Sequence, residues 1–253
     1  MLVIISPAKK LDFENMAPSS EFTLPTYLNF SKKLITEIKN YNLLEIKNLM
    51  KLSDSLAKLN IDRYQNFKTP FSLKNAKQAI YAFQGDTYKG FDVGTIKKDS
   101  LKYAQKHIKI LSGLYGLISP LDLIQPYRLE MGTRLPCGES KNLYQFWGKV
   151  LTSEINQVLE KEKILINCAS KEYFSVLDLN SIQGRVITPE FKEKKGDNYK
   201  VIGLFAKRAR GMMARYIVDH KIVEAEDLLF FNEDSYRYNP SLSKKNTPVF
   251  TRG

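Results

Sequence analysis

Three apolar runs in this chain lead into a lysine in the same way: Ile5-Ser6-Pro7-Ala8-Lys9, Cys168-Ala169-Ser170-Lys171 and Phe205-Ala206-Lys207-Arg208. If the runs lie parallel in one sheet, their lysines meet at the edge where α/β folds bind ligands, and that edge is an anion site. The competing reading is frequency alone, since lysine outnumbers arginine 30 to 9. The third run continues as Lys207-Arg208-Ala209-Arg210-Gly211, which is expected to open a helix that continues from Met212 to Asp219. Cations at a helix N-terminus are unfavourable unless an anion joins them, so Lys207, Arg208 and Arg210, with Arg215 beyond, are candidate phosphate contacts.

A second group surrounds Gly113 and Gly116. His107 to Leu123 reads as a helix, a glycine-containing hairpin and a second helix with Ser119 as its N-cap and Pro120 at its first position. This resembles a helix-hairpin-helix element, in which the backbone of Ser112, Gly113, Tyr115 and Gly116 would meet a phosphate without sequence selectivity. A purely structural corner is the alternative. Arg128 and Glu130 stand two apart and share one face of an extended segment, either as a ligand clamp or acid/base pair, or as a structural ion pair. Asp86 beside Gly85 is a weaker acid/base candidate, which turn chemistry also explains. Tyr144, Phe146 and Trp147 have core-like spacing within a helix, with base stacking as the minority reading.

Several chemistries lack their residues. Two histidines, His107 and His220, and two dispersed cysteines, Cys137 and Cys168, make a Ser-His-Asp triad, a zinc site or direct iron binding a poor fit. There is no P-loop and no G-x-G-x-x-G, so no cofactor and no metal is expected. Cys168, in a strand, reads as a buried, inert thiol rather than a redox sensor.

The elements that must position these groups follow from periodicity. Leu2 to Ile5 reads as a buried strand. Two or three amphipathic helices span Tyr27 to Phe67, and Ala79 to Phe83 reads as a second strand. Helical spacing returns from Ser100 to Leu111 and from Leu143 to Leu159, followed by a strand over 163–168. Arg185 to Pro189 and Tyr199 to Ala206 are expected to pair as a hairpin about Lys194 to Asn198, and the polar tail after Phe231 to be a loose end. The simplest fold is α/β (α+β), a single domain over 1–253 with a mixed sheet flanked by helices and the hairpin element near residues 101–125.

Charge points the same way as the motifs. The chain of 253 residues carries 39 basic and 27 acidic side chains, a net +12, and residues 192 to 215 supply +6 of it. Such a field attracts polyanions, nucleic acid first among them, although lysines spread over solvated faces would give the same total. No apolar stretch approaches the roughly 20 residues that cross a bilayer, and Leu2 to Ile5 is too short for a signal-peptide core, so a cytoplasmic protein is expected.

Five blocks together resemble the YaaA peroxide-stress family. They are Ile5 to Lys9, Leu111 to Gly116 running on to Gln125 to Gly132, Leu143 to Gly148, Asn167 to Phe174, and Lys207 to Met213, in family order across essentially the whole chain. The resemblance implies a cytoplasmic bacterial protein of hydrogen peroxide resistance, linked to control of intracellular iron and protection of DNA. It also implies a DNA-binding fold with a basic cleft and a helix-hairpin-helix element at Gly113 to Gly116. It brings no settled catalytic mechanism. Lys9, Arg128, Lys171, Lys207 and Arg210 are the foremost expected phosphate contacts, and Glu130 with Asp86 the groups for any acid/base role. A non-enzymatic DNA binder and an enzyme acting on a nucleotide or nucleobase are the two functional expectations.

Overall fold

Leu2–Ile5 and Ile164–Cys168 are short, almost continuously apolar runs, as expected of parallel strands covered on both faces. The computed structural model, which describes residues 1–253, pairs them side by side with Leu2 opposite Leu165 and Ile5 opposite Cys168. Ile108–Ser112 adds parallel to the free side of Leu2–Ile5, and Arg185–Ile187 parallel to that of Ile164–Cys168. Gly116–Ile118 closes one edge antiparallel, giving a mixed five-stranded sheet with Leu2–Ile5 at its centre.

The helices Leu143–Glu162 and Gly203–His220 both pack on this sheet, and Lys98–His107 packs beside the latter. Of the two or three helices expected between Tyr27 and Phe67, three are present: Leu28–Ile38, Leu43–Met50 and Asp54–Gln65. The second of them starts at a capping box in which the Asn42 side chain accepts from Glu45 N and the Glu45 carboxylate accepts from Asn42 N. The mixed α/β class is therefore as expected, and 63 buried apolar residues form one contiguous cluster.

Four local expectations are corrected. The Gly113 to Gly116 turn joins two strands, Ile108–Ser112 and Gly116–Ile118, and no helix follows Ser119, so the segment is a helix followed by a β-hairpin. The apolar run Ile108, Ile110 and Leu111 is buried against the central strand, and that burial selects strand over helix. Ala79–Ala82 is one buried helical turn rather than a strand, because a short apolar run has no periodicity to decide between the two. Arg185–Ile187 belongs to the central sheet, and the hairpin is instead Glu190–Lys195 with Asn198–Lys200. The tail is not loose: Val249–Arg252 pairs with Glu190–Glu193 and with Arg237–Tyr238, burying Phe250 in a ring of Phe191, Phe231 and Tyr238.

Candidate nucleic-acid interface

The chain leaves the central strand Leu2–Ile5 toward one side of the sheet and leaves Ile164–Cys168 toward the other, since each pairs next with Ile108–Ser112 and Arg185–Ile187 respectively. Diverging connections from two adjacent parallel strands make a topological switch point, the crevice where open α/β sheets take ligands. A cleft of about 580 Å³ opens there. Its walls are the Ser6–Lys10 loop after the first strand, Ser170–Tyr173 after the second, Gln84–Tyr88, and the side chains of Lys207 and Arg210. Two larger hollows, of about 670 and 730 Å³, flank the Leu143–Glu162 and Asp54–Gln65 helices away from the switch point.

The two strand-end loops are fastened to each other. Ser170 N donates to Ser6 Oγ over 2.8 Å, and the Tyr88 hydroxyl donates to Ser6 O over 3.1 Å. Gly132 N donates to the Glu172 carboxylate over 3.2 Å, which fastens the second loop to the segment that carries Arg128 and Glu130. Lys9, Lys10, Lys171, Lys207 and Arg210 line the cleft together with only two carboxylates, Asp86 and Glu172. Among these cations Lys9 alone makes an ion pair, 2.6 Å from Glu130 Oε1. The same oxygen accepts from Arg128 Nη2 at 3.1 Å, so Glu130 sits between two cations. Arg128 Nε is buried with no acceptor, and the Tyr64 hydroxyl donates to the Arg128 carbonyl.

Lys207 and Arg210 reach the cleft by a different route from the expected one. The helix begins at Gly203 rather than at Lys207, so these residues stand in its second and third turns and point into the cleft as side chains. Arg208 is exposed and does not line it. Arg215 is engaged elsewhere, donating to the carbonyls of Phe91, Asp92 and Thr95 and pairing with Asp219 at 2.6 Å, a clamp that leaves no open face for phosphate. The expected main-chain contacts are also corrected: Ser112, Gly113, Tyr115 and Gly116 are buried. A Cβ on Gly113 would lie 2.2 Å from Leu129 O, so this glycine lets the Arg128 to Glu130 segment approach. Gly116 has φ +73° and lies under the Trp147 ring.

Trp147 itself is core, its Nε1 donating to Gly113 O at 2.9 Å. His107 ends its helix, stacked on Tyr103 at 4.0 Å between ring centroids. Cys168 lies at the floor of the cleft, where burial pushes its thiol up to about 12. Sequence reasoning missed Lys10 and Glu172, although each adjoins a residue it singled out, Lys9 and Lys171. No group of three or more His, Cys, Asp or Glu side chains converges as metal ligands, and no helix is long and apolar enough to cross a membrane.

A mixed α/β fold whose parallel strands open onto a cation-lined cleft at the switch point defines the class of protein. The chain belongs to the peroxide stress protein YaaA family, whose pattern it matches over residues 1–242. It is similar to UPF0246 proteins of Flavobacterium psychrophilum, 48% identical over 252 residues and the full length of both chains, and of Shewanella woodyi, 49% identical over 254 residues covering 100% of this chain and 99% of the other. A UPF0246 protein of Magnetococcus marinus is 50% identical over 255 residues with 100% and 99% coverage.

Proposed function

We propose that this chain is a cytoplasmic DNA-binding protein of the peroxide stress response that limits iron-dependent oxidative damage. A single domain spanning 1–253 holds DNA at the basic strand-end cleft, largely without sequence specificity. The observation that carries the reading is that Lys10, Lys171, Lys207 and Arg210 line one cleft with no ion-pair partner. Unpaired cations at a switch point retain their full attraction for phosphate, and Arg210 adds the bidentate fork suited to it. The family's association with peroxide stress supports reading the polyanion as DNA to be protected in that response. The contacts proposed are to backbone phosphate, which position a duplex without reading its bases.

The test is fluorescence anisotropy of labelled duplexes of differing sequence at two salt concentrations. Binding through about four phosphate contacts weakens roughly 100-fold between about 50 and 200 mM salt, by similar amounts for every sequence. Salt-independent or absent binding contradicts the reading. A second reading, an enzyme acting on a nucleotide or nucleobase, draws on the carboxylates Asp86 and Glu172 in the same cleft and on Glu130 between Lys9 and Arg128. Release of a base or phosphate from nucleotides by the native chain, lost in Asp86→Asn or Glu130→Gln, would favour it.

A further inference from the structure

The strand-end cleft holds opposite charges that share one space and stay apart. Asp86 makes no ion pair there, and neither do Lys171, Lys207 and Arg210. Flexible side chains of opposite sign close into ion pairs when their anchors allow it; here the anchors are fixed. Asp86 opens the short helix Asp86–Phe91, and Lys207 and Arg210 stand on the Gly203–His220 helix. The two helix backbones interlock: a Cβ on Gly90 would lie 2.0 Å from Arg208 O, and one on Gly211 1.8 Å from Thr87 O. Pro7, Ala8 and the rings of Tyr88 and Tyr173 line the same cleft.

The cleft's dimensions select among nucleic-acid ligands. About 580 Å³ falls within the roughly 300–1,000 Å³ of small-molecule pockets, room for one nucleotide and far too little for a stacked duplex. A ligand that satisfies this lining combines an anionic group, a flat or apolar part and hydrogen-bond donors. A nucleotide has these parts. Carboxylates accept from sugar hydroxyls and from exocyclic base amines.

We infer that the cleft receives a single nucleotide unit, its phosphate on Lys171, Lys207 and Arg210 and the donors of its sugar or base on Asp86. This rests on the reading that the cleft takes nucleic-acid phosphate, and it adds which part of the polymer enters. The unit arrives free or turned out of a duplex, and turning out is least costly where the nucleotide is already unpaired.

Two duplex probes carrying 2-aminopurine, one fully paired and one with the 2-aminopurine opposite an abasic site, separate the outcomes. The unpaired probe is expected to bind about tenfold tighter than the paired one, and Asp86→Asn to remove most of that preference. The 2-aminopurine emission is expected to change only with the unpaired probe. Deoxynucleoside 5′-monophosphates that displace it at concentrations where inorganic phosphate does not identify the free unit as a ligand too. Equal binding of both probes with no displacement beyond that by inorganic phosphate overturns the inference and leaves duplex binding standing. Mononucleotide binding with neither duplex bound overturns the DNA reading and leaves the inference for the free unit. Thermal melting of Asp86→Asn alongside the native chain separates loss of the site from loss of the fold.

Discussion

Gly211 lies so close to the carbonyl oxygen of Thr87 that a Cβ on it would fall 1.8 Å from that atom, and Gly90 meets Arg208 O on the same terms at 2.0 Å. The reciprocal contact brings two helix backbones together without side chains between them. It sets the spacing of Asp86 on one helix from Lys207 and Arg210 on the other, and so the width of the cleft.

Gly211→Ala and Gly90→Ala are expected to destabilise the protein by about 1–3 kcal/mol each, the usual range for overpacking. The sign is diagnostic, because alanine is the better helix former by about 1 kcal/mol. Urea denaturation measures it: a lower midpoint with unchanged slope fits the packing described, and an equal or higher midpoint does not.

Trp147, the single tryptophan, is fully buried over Gly116 and stacked on Phe30 with ring centroids 5.7 Å apart. Its emission is expected to be blue-shifted, insensitive to iodide and unchanged by DNA. Trp147→Ala is expected to cost about 3–5 kcal/mol. Quenching of Trp147 by bound DNA would restore the base-stacking reading of this helix.

Glu130 accepts from both Arg128 and Lys9. Glu130→Gln leaves Arg128 mostly buried without its counter-charge, and is expected to cost about 1–3 kcal/mol, less than a fully buried pair because both side chains keep some exposure. It also frees Lys9, so duplex affinity at low salt is expected to rise a few-fold. Unchanged stability would mean that the pair is held apart by solvent.

The cysteines are expected to differ. Burial pushes the Cys168 thiol from 9.0 to about 12, so the folded state favours its protonated form. Its contribution to stability is present below the ordinary thiol value and is lost as pH rises through about 12. At neutral pH a thiol reagent is expected to modify only half-buried Cys137 in the native protein and both thiols in denaturant. Rapid native modification of two thiols would contradict the burial of Cys168.

Parts of this site were legible because strand-end loops inherit the direction of their strands. Once Leu2–Ile5 and Ile164–Cys168 are parallel neighbours, Lys9 and Lys171 must share an edge. Lys207 and Arg210 arrive at that edge from a helix, because Val201 to Ala206 is too short a run for its composition to separate strand from helix start. Gly113 and Gly116 carried a real signal, close approach and positive φ, but a tryptophan and a neighbouring carbonyl, not phosphate, occupy the space they leave. Of the Arg215 clamp only the pair with Asp219, four residues on along the helix, had a sequence signal, since its other main acceptors are three backbone carbonyls more than a hundred residues away in sequence.

The central claim is that DNA is held by the unpaired cations of the strand-end cleft, and the salt dependence of duplex affinity in Lys207→Ala/Arg210→Ala tests it most directly. Each lost phosphate contact lowers the slope of log affinity against log salt by about 0.9, so the double variant is expected to lose roughly 1.8 from the native slope and to bind more weakly at every salt concentration. A native slope and affinity in a normally folded double variant would contradict the claim and place the DNA on another face of the protein.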